Sequence, residues 1–149
     1  MAKIRVTKEF KFEAAHALLG YDGLCKNIHG HSYKLFVTVI GEPIQDKNDT
    51  KLGMVFDFGD LKYIVNTAIV KKFDHSVILN KEADTSHFEQ LNEMFDRKHY
   101  LDYQPTCENM VIDFAQTIKK LLPENIKLHS VKLYETATSS AEWVASDNE

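Results

Sequence analysis

The chain of 149 residues is 44% hydrophobic and 27% charged with a net charge of −4, a balance that argues for a globular protein and against a disordered or membrane-embedded one. There is no Lys/Arg block to attract nucleic acid, and no segment approaches the ~20 apolar residues of a membrane span. The start MAKIRVTKEF carries no apolar signal segment and the two cysteines, Cys25 and Cys107, are far apart, so one cytoplasmic domain over residues 1–149 is expected, with free thiols and small-molecule partners.

The first element, residues 4–16, alternates: Ile4, Val6, Phe10, Phe12 and Ala14 are apolar, while Arg5, Thr7, Glu9, Lys11 and Glu13 are polar. That period predicts a two-faced strand, and its parity carries His16 onto the apolar side. A second strand is expected over about 31–40, where Tyr33, Leu35, Val37 and Val39 share a face; the same parity brings His29 and His31 to it. Residues 41–53, GEPIQDKNDTKLG, read as a turn-rich loop closing a hairpin onto a short third strand, Met54 to Phe58. From about Asp60 the apolar residues Leu61, Ile64, Val65, Ala68, Ile69 and Phe73 follow a helical period, with Asp57 or Asp60 as candidate caps.

A further strand within SVILNK, 76–81, is possible, and the polar stretch 80–105 shows no clear period beyond a potential helical turn at EQLNEMF. Met110, Phe114, Ala115 and Ile118 trace a second helix, with Thr106 as its N-cap and Pro123 at its end. The last strand is expected over about 128–136, with Val131, Leu133 and Glu135 on one face, followed by a short strand or loop holding Trp143 and a frayed ASDNE tail. The order implies an α+β domain in which both helices cover one face of an antiparallel sheet.

Side chains two apart on a strand point the same way with Cα atoms about 7 Å apart, so His29 and His31 can reach one ion. If the first strand pairs beside them, His16 adds a third nitrogen and leaves a fourth position open, the layout of a catalytic zinc site; the alternative is that these are core or exposed histidines. Cys25 has two readings: a fourth ligand closing a structural site, or a thiol near a cation that acts as a base. Asp74 beside His75 is either a carboxylate–imidazole pair for proton transfer or a polar helix terminus. Glu135, a carboxylate on a buried face, needs a Lys or Arg or a ligand carrying N–H donors. Cys107 reads as a packed thiol, His87, His99 and His129 as solvated, and Trp143 as packing.

The blocks FEAAH, CKNIHGHSY, GMVFDF, FDHSVILN, PTCEN and VKLYET, in this order over nearly the whole chain, resemble the 6-pyruvoyl-tetrahydropterin synthase and 6-carboxy-tetrahydropterin synthase family. The resemblance implies the T-fold (tunnelling fold), here a four-stranded antiparallel sheet with two helices on one face, and its copies joined into an oligomeric barrel, a homohexamer built as a dimer of trimers. It implies His16, His29 and His31 as ligands of Zn2+, Cys25 as proton acceptor, Asp74 and His75 as proton-transfer partners, and Glu135 as anchor of the pterin's amino-pyrimidine edge. Thr106 and Glu108 would line the same pocket, and sites would form between subunits.

The implied substrate is 7,8-dihydroneopterin triphosphate. The short spacing CxxxHGH resembles the bacterial carboxy-tetrahydropterin synthases of queuosine (7-deazapurine) biosynthesis, carbon–carbon lyases that release acetaldehyde and triphosphate. A pyruvoyl synthase is the alternative enzyme, and a pterin-binding module with a structural zinc site the non-enzymatic one. A third branch, which has glutamate in place of the cysteine, is disfavoured by Cys25.

Overall fold

The computed structural model describes Met1–Glu149. Six strands form one sheet in the order β4-β3-β1-β2-β5-β6, where β1 is Ile4–His16, β2 His29–Gly41, β3 Ser76–Asn80, β4 Lys98–Leu101, β5 Lys127–Thr136 and β6 Ser139–Val144. β1, β2, β5 and β6 pair antiparallel, whereas β3 runs parallel to β1 and β4 parallel to β3. The α+β architecture with its helices on one face is therefore as expected, but the sheet has six strands instead of four and is mixed. Met54–Phe58 is not a strand. It joins no ladder: Ile44 N donates to Met54 O at 3.0 Å and Met54 N to Lys51 O at 3.0 Å, and the buried Val55 enters the core without pairing.

The two long strands obey their alternation. On β1 Phe10, Phe12, Ala14 and His16 are buried, and on β2 Tyr33, Leu35, Val37 and Val39, while the intervening Lys11, Glu13, Ser32 and Lys34 face solvent. A register shift opposite Thr38 and Val39 gives β5 an extra residue. Such a bulge switches parity, which lets Leu128 below it and Val131 and Leu133 above it all face the core.

Helix α1 (Phe58–Val65) starts at Asp57, whose side chain accepts from Gly59 N at 2.6 Å, and Lys51 bridges Asp57 and Asp60 at 2.6 and 2.9 Å. It runs through a π-turn, Asn66–Val70, into the short α2 (Lys71–Phe73). The buried residues are Leu61, Val65, Ile69 and Phe73, every fourth position. In a regular α-helix that stripe would drift by about 40° per step; the wider π-turn holds it on the core side. Helix α3 (Cys107–Leu121) buries Cys107, Met110, Val111, Phe114, Ala115 and Ile118 against β5 and β6, and Thr106 caps it by accepting from Asn109 N at 3.2 Å.

The stretch between β3 and α3 is more ordered than its sequence suggests: Phe88–Phe95 form 3-10 turns, and β4 is an edge strand whose KHYL carries no alternation to read. His99, expected to be solvated, donates from its Nε2 to Lys72 O at 2.6 Å and packs edge-on against Phe73. Trp143 stands opposite Val131 and leans on the core from β6. No helix is long and apolar enough to cross a membrane.

Candidate metal centre and active site

The β1–β2 ladder pairs thirteen residues on each strand, from Ile4 opposite Gly41 to His16 opposite His29. His31 stands opposite Ala14, diagonal to His16 on the same face. Register thus gathers at one end of the sheet three imidazoles that are dispersed in sequence. His16 Nε2 lies 3.1 Å from His29 Nε2 and 3.1 Å from His31 Nε2, and the three candidate ligand atoms all fall within 4.8 Å of one another. The rings rest on Tyr33, which stacks on Phe12 with centroids 4.9 Å apart and meets His16 and His31 edge-on.

Backbone carbonyls decide which nitrogen is free. Pro105 O lies 2.7 Å from His16 Nδ1, and Asn27 O lies 2.7 Å from His29 Nδ1. A carbonyl can only accept, so both Nδ1 atoms carry the proton and both Nε2 atoms turn inward. Burial lowers the pKa of His16 against the opposing pull of the Pro105 carbonyl and Glu135, and burial likewise lowers that of His31. With both Nδ1 protons given to carbonyls, the Nε2 lone pairs of His16 and His29 face each other at 3.1 Å with no proton between them, whereas a cation placed among the three Nε2 atoms satisfies them all. A tetrahedral zinc with Zn–N near 2.0–2.1 Å needs nitrogens about 3.3 Å apart, so the donor set fits a zinc ion with three nitrogen ligands.

The sulfur is not part of this group. Cys25 sits on a 3-10 turn, Leu24–Lys26, in the loop between β1 and β2, and is absent from the cluster of potential ligands. It lines instead a cavity of ≈ 530 Å³ shared with Tyr21, Thr106, Cys107, Glu108 and Glu135. Four of the residues singled out from sequence, Cys25, Thr106, Glu108 and Glu135, therefore border one space. Glu135 joins that space to the histidines: its Oε1 lies 3.3 Å from His31 Nε2, the one ion-pair contact it makes. No lysine or arginine forms an ion pair with it, and it stands at an irregularity in the β5–β6 pairing between Tyr134 and Thr136. Cys107 is packed, donating to Leu133 O at 3.2 Å, and burial pushes its thiol up to about 11. Burial also pushes the Tyr33 phenol far above its usual range, so it stays protonated.

Asp74 and His75 do form the expected pair, with His75 Nδ1 3.0 Å from Asp74 Oδ2. They clasp β1: Asp74 Oδ1 accepts from Glu13 N at 2.9 Å and His75 N donates to Glu13 O at 2.6 Å. The Glu13 N–H, with help from His75, holds the Asp74 carboxyl below its ordinary pKa. His75 has φ of 57°, the left-handed region that an L-residue other than glycine occupies at a cost of roughly 1–2 kcal/mol. The pair does not reach Cys25 in the same chain. His75 borders a second depression of ≈ 410 Å³ with Glu13, Ala15, Gly30 and Ser32 and also with His31, whereas Cys25 lines the other cavity.

The mixed sheet with helices on one face and three histidines at the open end of its longest hairpin defines a T-fold protein with a candidate zinc centre. The chain belongs to the 6-pyruvoyl tetrahydropterin synthase family, whose model matches residues 5–145. It is 34% identical over 141 residues to a 6-carboxy-5,6,7,8-tetrahydropterin synthase from Haemophilus influenzae, covering 93% of this chain and 97% of that protein. It is 32% identical over 144 residues to the 6-pyruvoyl tetrahydrobiopterin synthase of Homo sapiens, covering 89% and 85%. The solved structure of Caenorhabditis elegans 6-pyruvoyl tetrahydropterin synthase superposes with a TM-score of 0.70 at 24% identity, covering 97% of both chains, which bears on the fold alone.

Proposed function

We propose that residues 1–149 form one cytoplasmic T-fold unit that acts as a zinc-dependent 6-carboxy-5,6,7,8-tetrahydropterin synthase in queuosine-type 7-deazapurine biosynthesis. In this reading 7,8-dihydroneopterin triphosphate and water give 6-carboxy-5,6,7,8-tetrahydropterin, acetaldehyde and triphosphate. The observation that carries it is the convergence of three inward Nε2 atoms beside a cavity that holds a thiol and an unneutralised carboxylate. Zinc held by His16, His29 and His31 would supply Lewis acidity toward the substrate's side-chain oxygens, easing loss of the neighbouring protons.

The chain's own groups have distinct tasks. Glu135, reaching the cavity as a carboxylate without a cationic partner, accepts two N–H groups of the pterin edge in a charge-assisted fork and orients the ring. Cys25, on the cavity wall, takes a proton from the substrate side chain. Thr106 and Glu108, at the start of α3, border the same space and restrict how the ring lies. Asp74 and His75 act as a proton-transfer pair supplied by another copy of the chain, since within one chain His75 and Cys25 border different cavities. That division agrees with a homohexamer in which the charged outer face lines a barrel.

Glu135→Gln tests the fork. The amide keeps the shape but presents one donor to a donor edge, so pterin affinity should fall by roughly 10- to 100-fold, the worth of a charged hydrogen bond. Fluorescence titration with a pterin measures it; unchanged affinity would remove Glu135 from the binding site. The reaction itself is tested by mass spectrometry of the products formed from purified zinc-loaded protein and dihydroneopterin triphosphate. Carboxytetrahydropterin with acetaldehyde supports the reading, and pyruvoyl-tetrahydropterin would replace it with a pyruvoyl synthase reaction, as in the name of the human relative.

A further inference from the structure

The loop that carries Cys25 has few means of holding its place. Leu18 N donates to Cys25 O at 2.9 Å, and the other backbone bonds, from Tyr21 to Leu18, Lys26 to Gly23 and Asn27 to Leu24, also stay inside the loop. They shape it without fastening it to the sheet. Burial does not fasten it either: Leu19, Tyr21 and Leu24 are 45%, 47% and 87% exposed.

The fastening comes from Gln104. Its side-chain amide pairs with Leu19 in both senses, Leu19 N donating to Oε1 at 3.1 Å and Nε2 donating to Leu19 O at 2.8 Å. A primary amide offers the same donor and acceptor as a peptide group, so the pair amounts to one rung of a β-ladder made by a side chain. Asn80, the last residue of β3, fixes its direction. Asn80 Nδ2 donates to Gln104 Oε1 at 3.2 Å, and Asn80 Oδ1 is held by Glu82 N at 3.0 Å, so neither amide can turn over without setting like atoms together. The main chain of Gln104 is anchored too, its carbonyl accepting from Thr106 N at 2.8 Å and Asn109 Nδ2 at 3.1 Å. The next residue, Pro105, is the one whose carbonyl orients His16. Residues 104 and 105 thus hold the thiol loop and the buried imidazole to one stretch of backbone.

We infer that Gln104, oriented by Asn80, is a positioning residue that locks the Leu18–Lys26 loop and thereby sets where Cys25 stands relative to the three histidines. Its kinetic consequence rests on the role proposed for Cys25; the lock itself can be read without turnover. The experiment is hydrogen exchange by mass spectrometry on the zinc-loaded protein, with Gln104→Ala, Gln104→Glu and Asn80→Ala. In Gln104→Ala the loop amides should exchange about tenfold faster, as loss of two hydrogen bonds implies, while β1, β2 and zinc content stay unchanged. Gln104→Glu, which keeps the acceptor for Leu19 N and loses the donor, should fall between, and Asn80→Ala should shift exchange in the same direction.

In the active enzyme, Gln104→Ala should lower kcat by roughly 10- to 100-fold, the scale of a small misplacement of a reacting group. KM should change less than kcat, because Gln104 borders the cavity but its amide is engaged by Leu19 and Asn80 instead of being open to a ligand. Unchanged loop exchange in Gln104→Ala and Asn80→Ala would overturn the inference, as would faster exchange with an unaltered kcat. If the alanine variant of Gln104 does not fold, Asn80→Ala, which leaves both Leu19 bonds in place, decides the matter by its own exchange rates. Faster exchange in a protein whose wild type shows no turnover would leave the lock standing and remove the proposed reaction instead.

Discussion

Cys25→Ala is expected to lower kcat by about 10²- to 10⁴-fold, the range for loss of a positioned proton acceptor, while zinc content and fold persist. The structural ground is separation of roles: the thiol lines the cavity wall, whereas the candidate metal ligands are three imidazoles with no sulfur among them. If Cys25 were instead the fourth ligand of a closed structural site, the same substitution would weaken metal binding and the loss of metal would carry the fold with it. Steady-state kinetics beside metal analysis separates the two cases. Cobalt substitution gives a second readout, since intense sulfur-to-cobalt charge-transfer absorption in the resting protein would place the thiol on the ion and end the proposed base. Cys107 does not confuse the assay, because it is buried and its thiol is pushed up to about 11.

The second large effect is expected from the ligands. His29→Ala should weaken zinc binding by more than about 100-fold, beyond the loss produced by removing a merely supporting partner, and should abolish turnover with little loss of stability, since His29 is only half-buried at the end of its strand. His16→Ala should lose the metal as well, but it is 1% exposed and hydrogen-bonded to Pro105 O. Stripping that buried carbonyl of its donor costs about 2 kcal/mol, so this variant should also unfold at lower denaturant. Competition with a chromophoric chelator measures the first property and urea titration the second. Zinc affinity unchanged in His29→Ala would dissolve the three-nitrogen centre.

Much of the site was legible because β1 and β2 are simple alternating strands. Parity alone put His16, His29 and His31 on the core side, and the same period on β5 put Glu135 with Val131 and Leu133. Thr106 as cap of α3 could be read from residue type and position, while for α1 the sequence offered Asp57 or Asp60 and the structure uses Asp57. The failures have physical reasons. Met54–Phe58 reads as a short strand in sequence, yet only Val55 of it is buried, and a single buried residue needs no ladder. β4 and β6 were obscure because edge strands bury only one side and keep polar residues such as Lys98, His99, Ser140 and Glu142. Nothing in FDHSVILN or YQPTCEN announced that Asn80 and Gln104 would meet, since their amides join across 24 residues.

The amino-acid order by itself determined the two-faced strands, the amphipathic helices and the side of the sheet on which each histidine and Glu135 lies, because facing direction follows from the period of the local backbone. Only the tertiary structure decided that His16 would stand opposite His29, that a carbonyl 89 residues away would choose its tautomer, and that His75 and Cys25 would border different cavities. Those outcomes depend on register and on contacts closed across long stretches of chain, which no local period encodes.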